Sequence, residues 1–180
     1  MARASMSTLI AGVRGLIADP AGPGQVFSDD AVQDALDRYQ TVVRYAPLHP
    51  EPTFLPSGVA QYRDYYATIG DWEADEQLVN AAWQVLTPAT ADRLTGHWTF
   101  ASPGVAPPVY ITGKVYDVFG AAADLLEAWV AKVKLEFDFT TDAQGFQRSQ
   151  KVAALTKLAA EYRRRQRPAL AVQVRADVGG

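Results

Sequence analysis

The sequence predicts a mainly α protein, a helical bundle of about four helices with a small antiparallel β-sheet subdomain inserted into it. Three observations carry this expectation. Apolar residues recur at spacings of three and four near both ends of the chain, the periodicity of helices buried along one face. Six prolines fall between positions 47 and 103, where the helical period gives way to short runs of β-branched and aromatic residues. The 180 residues are 48% hydrophobic and 21% charged, the balance of an ordinary globular chain. The predicted organisation is a helical core formed by 1–45 and 113–168, a β-rich insert at 46–112 and a C-terminal arm at 169–180.

The first helix is predicted over 7–17, where Leu9, Ile10, Val13, Leu16 and Ile17 form one stripe and Asp19-Pro20 stops it. A second is expected from about 29 to 45. Ser28 supplies its cap, Asp29 and Asp30 face the positive end of its dipole, and Val32, Leu36, Tyr39 and Val43 form its stripe. In the insert, strands are expected at Gln61–Ile69, Leu78–Leu86, His97–Ala101 and Val109–Ile111, with turns at Gly70-Asp71 and Ser102-Pro103-Gly104. Trp72, Trp83 and Trp98 and the tyrosines at 62, 65, 66 and 110 exceed what a small sheet can hide, so an exposed aromatic patch is expected there.

After Gly113 the strongest stripe begins, with Val115, Val118, Phe119, Ala122, Leu126, Trp129, Val130 and Val133 on one face. The small Ala121, Ala122 and Ala123 allow a neighbouring helix to come close. Phe137, Phe139 and Phe146 flank a turn at Asp142–Gly145, and a last helix is predicted from about 148 to 166, burying Val152, Leu155, Leu158, Ala159 and Tyr162. Arg163, Arg164, Arg165 and Arg167 gather at its negative end, where cations complement the dipole, and Pro168 stops it. Beyond it Leu170, Val172 and Val174 alternate with small or polar residues, a strand pattern without an obvious partner in its own chain.

Catalytic chemistry is poorly supplied. There is no cysteine, and His49 and His97 have no second histidine at metal-ligand spacing. No nucleophile elbow, phosphate loop, zinc-protease helix, calcium loop or dinucleotide fingerprint is present. Of the carboxylate pairs Asp29/Asp30, Asp75/Glu76 and Asp124/Glu127, the first reads as a helix start and the last as the flank of a helix stripe, and each is expected to be structural rather than an acid/base couple. A non-enzyme without cofactor or metal is expected. No apolar run approaches the roughly 20 residues of a membrane span, and no signal peptide is discernible, so no membrane association is expected and the cytoplasm, or a particle assembled there, is the expected location.

Charge is unevenly placed. Residues 146–180 hold eight Lys/Arg and two Asp/Glu, a surplus of six, so the rest carries −9 within an overall −3. A basic end on an acidic body favours contact between copies or with a polyanion.

Phe27-Ser-Asp-Asp30, Tyr116-Asp117, Ala121-Ala-Ala-Asp-Leu-Leu-Glu-Ala-Trp129, Phe137-Asp-Phe139, Arg148-Ser-Gln-Lys151 and Glu161-Tyr-Arg-Arg-Arg165, in this order, resemble the head-to-tail connector adaptors of long-tailed bacteriophages. The resemblance covers roughly 7–45 and 113–167. It implies a structural virion protein at the neck, made in the host cytoplasm. Such a protein docks on the portal as a ring, of twelve copies if it matches the portal, and offers a stopper or tail-tube protein a surface while DNA passes through the lumen. The resemblance places the arm with Leu170, Val172 and Val174, beside the basic helix end at Arg163, Arg164, Arg165 and Arg167, against the partner. A stopper or tail terminator is the alternative, and a helical nucleic-acid-binding protein using those four arginines is the reading from another class.

Overall fold

The computed structural model describes residues 1–136 and 145–167. A short 3-10 turn at Ala4–Met6 leads into α1, Ser7–Ile17, whose Leu9, Ile10, Val13 and Ile17 are buried. Ala18 in the left-handed conformation ends it, just before Asp19-Pro20. The Ser28 hydroxyl accepts from the Ala31 amide at 3.2 Å and opens α2, Asp29–Asp37. Strands β1 (Gln40–Pro47), β2 (His49–Phe54), β3 (Ala60–Tyr66), β4 (Gln77–Asn80), β5 (Val85–Leu86), β6 (Thr90–Asp92), β7 (His97–Thr99) and β8 (Val109–Tyr116) follow. Helices α3, Val118–Glu136, and α4, Gly145–Arg165, complete the described elements.

The molecule is therefore a mixed α/β fold, and the mainly α expectation is wrong. Among the described residues helix accounts for 38% and strand for 27%, in two four-stranded antiparallel sheets instead of one small one. Their orders are β1-β8-β4-β5 and β2-β3-β7-β6. The error has an identifiable cause at each flank. The predicted second helix stops at Asp37, because Thr41, Val42 and Val43 are β-branched and enter β1. Val115, expected on the stripe of the long helix, is instead a buried residue of β8. Strand β1 pairs along β8 from Gln40↔Tyr116 to Pro47↔Tyr110, so the sheet crosses positions 45 and 113 on both sides. The Leu78–Leu86 segment is a hairpin of β4 and β5 rather than one strand.

Two cores result. In the helical one Met6, Leu9, Val13, Val32, Leu36, Ala121, Ala122, Ala123 and Leu126 are sealed from solvent, with Ala159 and Tyr162 contributed by α4. Gly120 sits against the Tyr39 ring, where an added Cβ would come within 2.8 Å of two ring carbons, so the chain needs glycine there. The second core holds Leu48, Tyr65, Trp72, Leu78, Trp98, Phe100, Val109, Ile111 and Val115. Trp72 and Trp98 meet edge to face at 5.7 Å, the arrangement that the ring quadrupoles favour. In the predicted turn after Phe100, Gly104 at φ +91° closes on the Tyr62 carbonyl, leaving no room for a side chain.

Asp117 alone separates β8 from α3. Its carboxylate accepts from the Phe119 and Gly120 amides, both at 3.1 Å, capping the helix, while its other oxygen takes the Arg167 amide at 2.7 Å. The end of α4 is thereby held against the start of α3. No described helix is long and apolar enough to cross a membrane. Of the predicted turn at Asp142–Gly145, only Gly145 is described, as the first residue of α4; Phe137, Phe139 and the arm at 169–180, with Leu170, Val172 and Val174, lie outside the described residues.

Candidate functional site

The four arginines expected to form one basic surface have separate fates. Arg163 reaches from α4 to α3, where it pairs with Asp124 and, at 2.9 Å, with Glu127. It also donates to the Tyr39 hydroxyl at 2.7 Å, and Tyr39 in turn donates to Asp124 at 2.8 Å. These bonds to Glu127, Tyr39 and Asp124 hold the guanidinium charge well above its ordinary range, against a smaller opposing effect of burial. Arg167 donates to Asp71 at 2.6 Å and to the carbonyl oxygens of Gly70 and Tyr116. Arg165 pairs with Glu161 one turn back and lies over the Phe119 ring. Arg164, exposed, donates to the Ala160 carbonyl within its own helix.

The carboxylate pairs are similarly engaged. Asp29 receives Arg14 at 2.7 Å, Asp30 receives the Met1 amino group at 3.2 Å, and Asp75 receives Lys114 at 2.9 Å. Glu76 accepts from Arg93 at 2.8 Å and from the Trp98 indole at 3.1 Å. His97 contacts Asp64 at 3.0 Å and stacks on Tyr66, while His49 is exposed on β2. No cluster of three or more metal-ligating side chains occurs among the described residues.

Sequence reasoning missed the centre that joins the two cores, Glu73. Its buried carboxylate accepts from Ser5 at 2.6 Å, Tyr116 at 2.6 Å, Arg3 at 3.0 Å and Lys114 at 3.4 Å. Burial alone would raise this carboxyl, but the hydrogen bonds from Ser5, Tyr116 and Arg3 outweigh it and bring the pKa down to about 2. Burial, reinforced by Glu73, pushes the Tyr116 phenol well up. Arg3 continues the network to Asp37 on α2 at 2.7 Å. No local motif announces these partners, which lie 68 and 43 residues from Glu73.

The predicted aromatic patch lies on the face of the first sheet opposite its core. Val109 and Ile111 point inward, so Tyr110 between them points out. Trp83 stacks on Tyr110 at 6.0 Å, and Tyr45 meets Trp83 edge-on at 5.1 Å. Both Tyr45 and Trp83 adopt left-handed backbone, at φ +50° and +59°. Bulky residues rarely accept this conformation. Tyr45 occupies the register shift between Val43 and Ala46, where β1 loses step with β8. Trp83 ends the β4–β5 turn, its amide bonded to the Asn80 carbonyl at 3.0 Å, in a position that hairpins commonly give to glycine. Local strain at both residues turns their rings onto one exposed surface.

The β2–β3 hairpin is the other surface feature. Every residue of β2 is exposed, and Phe54, Leu55 and Val59 at the tip are uncovered. As the edge strand of its sheet, β2 carries Pro50 and Pro52, which lack the amide needed to pair with a further strand. Strand addition at this edge is therefore disfavoured, and side chains are left to make its contacts.

No family model, no curated protein and no solved structure matches this chain.

Proposed function

We propose that the protein is a ring-forming structural component of a bacteriophage neck, a head-to-tail adaptor that docks on the portal and receives a stopper or tail-tube protein. The observation that carries this reading is the β2–β3 hairpin, exposed along all of β2 and apolar at its tip. Tyr65 anchors β3 in the second core, but β2 and the tip bury little within the chain, while ordering backbone costs about 1–2 kcal/mol per residue. Contact outside the chain offsets that cost. The motif order from Phe27 to Arg165 supplies the class of assembly. Engagement of Arg163 and Arg167 by carboxylates of their own chain favours a structural use of the basic helix end over a phosphate-reading one.

The test is co-assembly. Purified protein is mixed with the portal ring encoded in the same genome and viewed by negative stain. An annulus of density seated on one end of the portal is expected. Bare portal at every protein concentration tried overturns the reading, and binding to tail protein alone moves it to the stopper or terminator class.

A further inference from the structure

The neck reading requires copies to meet side by side, and two surfaces of the chain are suited to each other. We infer that the tip of the β2–β3 hairpin of one copy seats on the Tyr45–Trp83–Tyr110 platform of the next, a contact between unlike surfaces that repeats around a ring. This rests on the adaptor reading and names the contact that the ring would use.

The exposed fractions set the problem: Phe54 is 69% exposed and Val59 57%, while Trp83 is 62%, Val85 63% and Tyr45 55%. Neither surface covers the other within one chain. Strand β2 has six residues, so at about 3.3 Å per residue the tip stands roughly 20 Å from the base of the arm. That base follows β1, which carries Tyr45, after Leu48 alone, and with Phe54, Tyr45 and Trp83 all exposed the arm does not cover its own platform.

Charge argues for the same pairing. In a chain that is 21% charged, positions 52–62 of the arm and 77–91 around the platform contain no Asp, Glu, Lys or Arg. Depletion of charge with retention of aromatic residues is the signature of an interface centre. At the borders, exposed Glu51 on the arm and exposed Arg44 beside Tyr45 provide opposite charges. The prolines of β2 direct recognition to the tip by preventing the arm from adding as a strand.

The size of the contact selects a ring over a free dimer. With aromatic side chains taken at about 200 Å² each, the two apolar surfaces together amount to on the order of 600–700 Å². A self-standing complex buries about 1,200–2,000 Å². One such contact is therefore weak alone. Ring closure gives every copy two of them and leaves no surface unused.

The chain has no cysteine, so engineered thiols report the contact directly. Full-length Phe54→Cys and Val85→Cys proteins are mixed and treated with a short bis-maleimide. Covalent dimers are expected from the mixture, and a ladder of trimers and larger species from the double variant. Lys157→Cys, on the exposed side of α4, is the control partner for each. No more product than with this control overturns the proposal. A second arm uses the portal: Phe54→Ser is expected to raise the protein concentration for half-maximal ring formation about tenfold or more, the effect of truncating an interface anchor. Rings formed by Phe54→Ser as readily as by the unaltered protein overturn the hairpin contact and leave the adaptor reading standing. Cross-links without any portal binding support the contact and remove the adaptor reading.

Discussion

Arg167 donates its guanidinium to the Asp71 carboxylate at 2.6 Å, tying the chain just past α4 to the turn that follows β3. Burial raises the Asp71 carboxyl and outweighs the opposing pull of Arg167. Removing the arginine leaves a largely buried carboxylate without its cation. Arg167→Ala is expected to destabilise the fold by about 1–3 kcal/mol at neutral pH. The raised pKa fixes the sign: the variant's deficit shrinks as pH falls and Asp71 takes up a proton. Urea unfolding of both proteins between pH 8 and pH 5 measures it, and a constant deficit contradicts the account.

Glu73 gives the opposite dependence. Its folded carboxyl stands at about 2 against an ordinary 4.5, so its contribution is complete above pH 4.5 and is lost as pH falls toward 2. The expected size is on the order of 3 kcal/mol. Glu73→Gln is expected to be less stable at pH 7 and to show a flatter stability profile between pH 4.5 and 2. Parallel profiles for the two proteins would place the acid sensitivity elsewhere.

Arg163 and Arg164 are adjacent in sequence and unequal in structure. Arg163→Ala breaks a link from α4 to Asp124, Glu127 and Tyr39, and is expected to cost about 1–2 kcal/mol. Arg164→Ala is expected to stay within about 0.5 kcal/mol of the unaltered protein. Thermal melts of the pair check the contrast, which a uniformly solvated basic cluster would not produce.

Gly120→Ala brings a methyl group to 2.8 Å from the Tyr39 ring. That ring is held in place by Asp124 and Arg163 through its hydroxyl. Overpacking by about 1–3 kcal/mol is expected, with part of it recovered when Tyr39→Ala is added. A double-mutant cycle on urea midpoints tests the coupling.

Trp83→Gly relieves a left-handed backbone that costs a side-chain-bearing residue about 1–2 kcal/mol. It also removes the stacking on Tyr110. The two effects oppose each other, and stability is expected to change by no more than about 1 kcal/mol. A calorimetric melt showing a loss several times larger would make Trp83 a fold-supporting residue rather than a surface kept for contact.

Local signals were the legible part of the fold. The stripe of α1, the Ser28 cap and the Gly104 turn each depend on neighbours within a few residues, and each stands where the sequence places it. Val43 and Val115 misled because strands abut helices there. Leu36, Tyr39 and Val43 keep spacings of three and four across the change from α2 to β1, as Val115, Val118 and Phe119 do across the change from β8 to α3. Periodicity alone cannot see such a junction. The excess of aromatic residues announced an exposed patch that includes Trp83 and Tyr110, but did not separate them from the buried Trp72, Trp98 and Tyr65 and missed Tyr45, which a bulge in β1 brings to Trp83. Arg163 and Arg167 read as part of one basic helix end because their carboxylate partners lie far away along the chain.

The single residue between β8 and α3 has a mechanical consequence. Both oxygens of Asp117 are occupied, one by the first amides of α3 and the other by the amide of Arg167, so the junction has no slack in which to swivel. A pull on β8 is thereby passed through one residue to the start of α3 and to the chain just past α4.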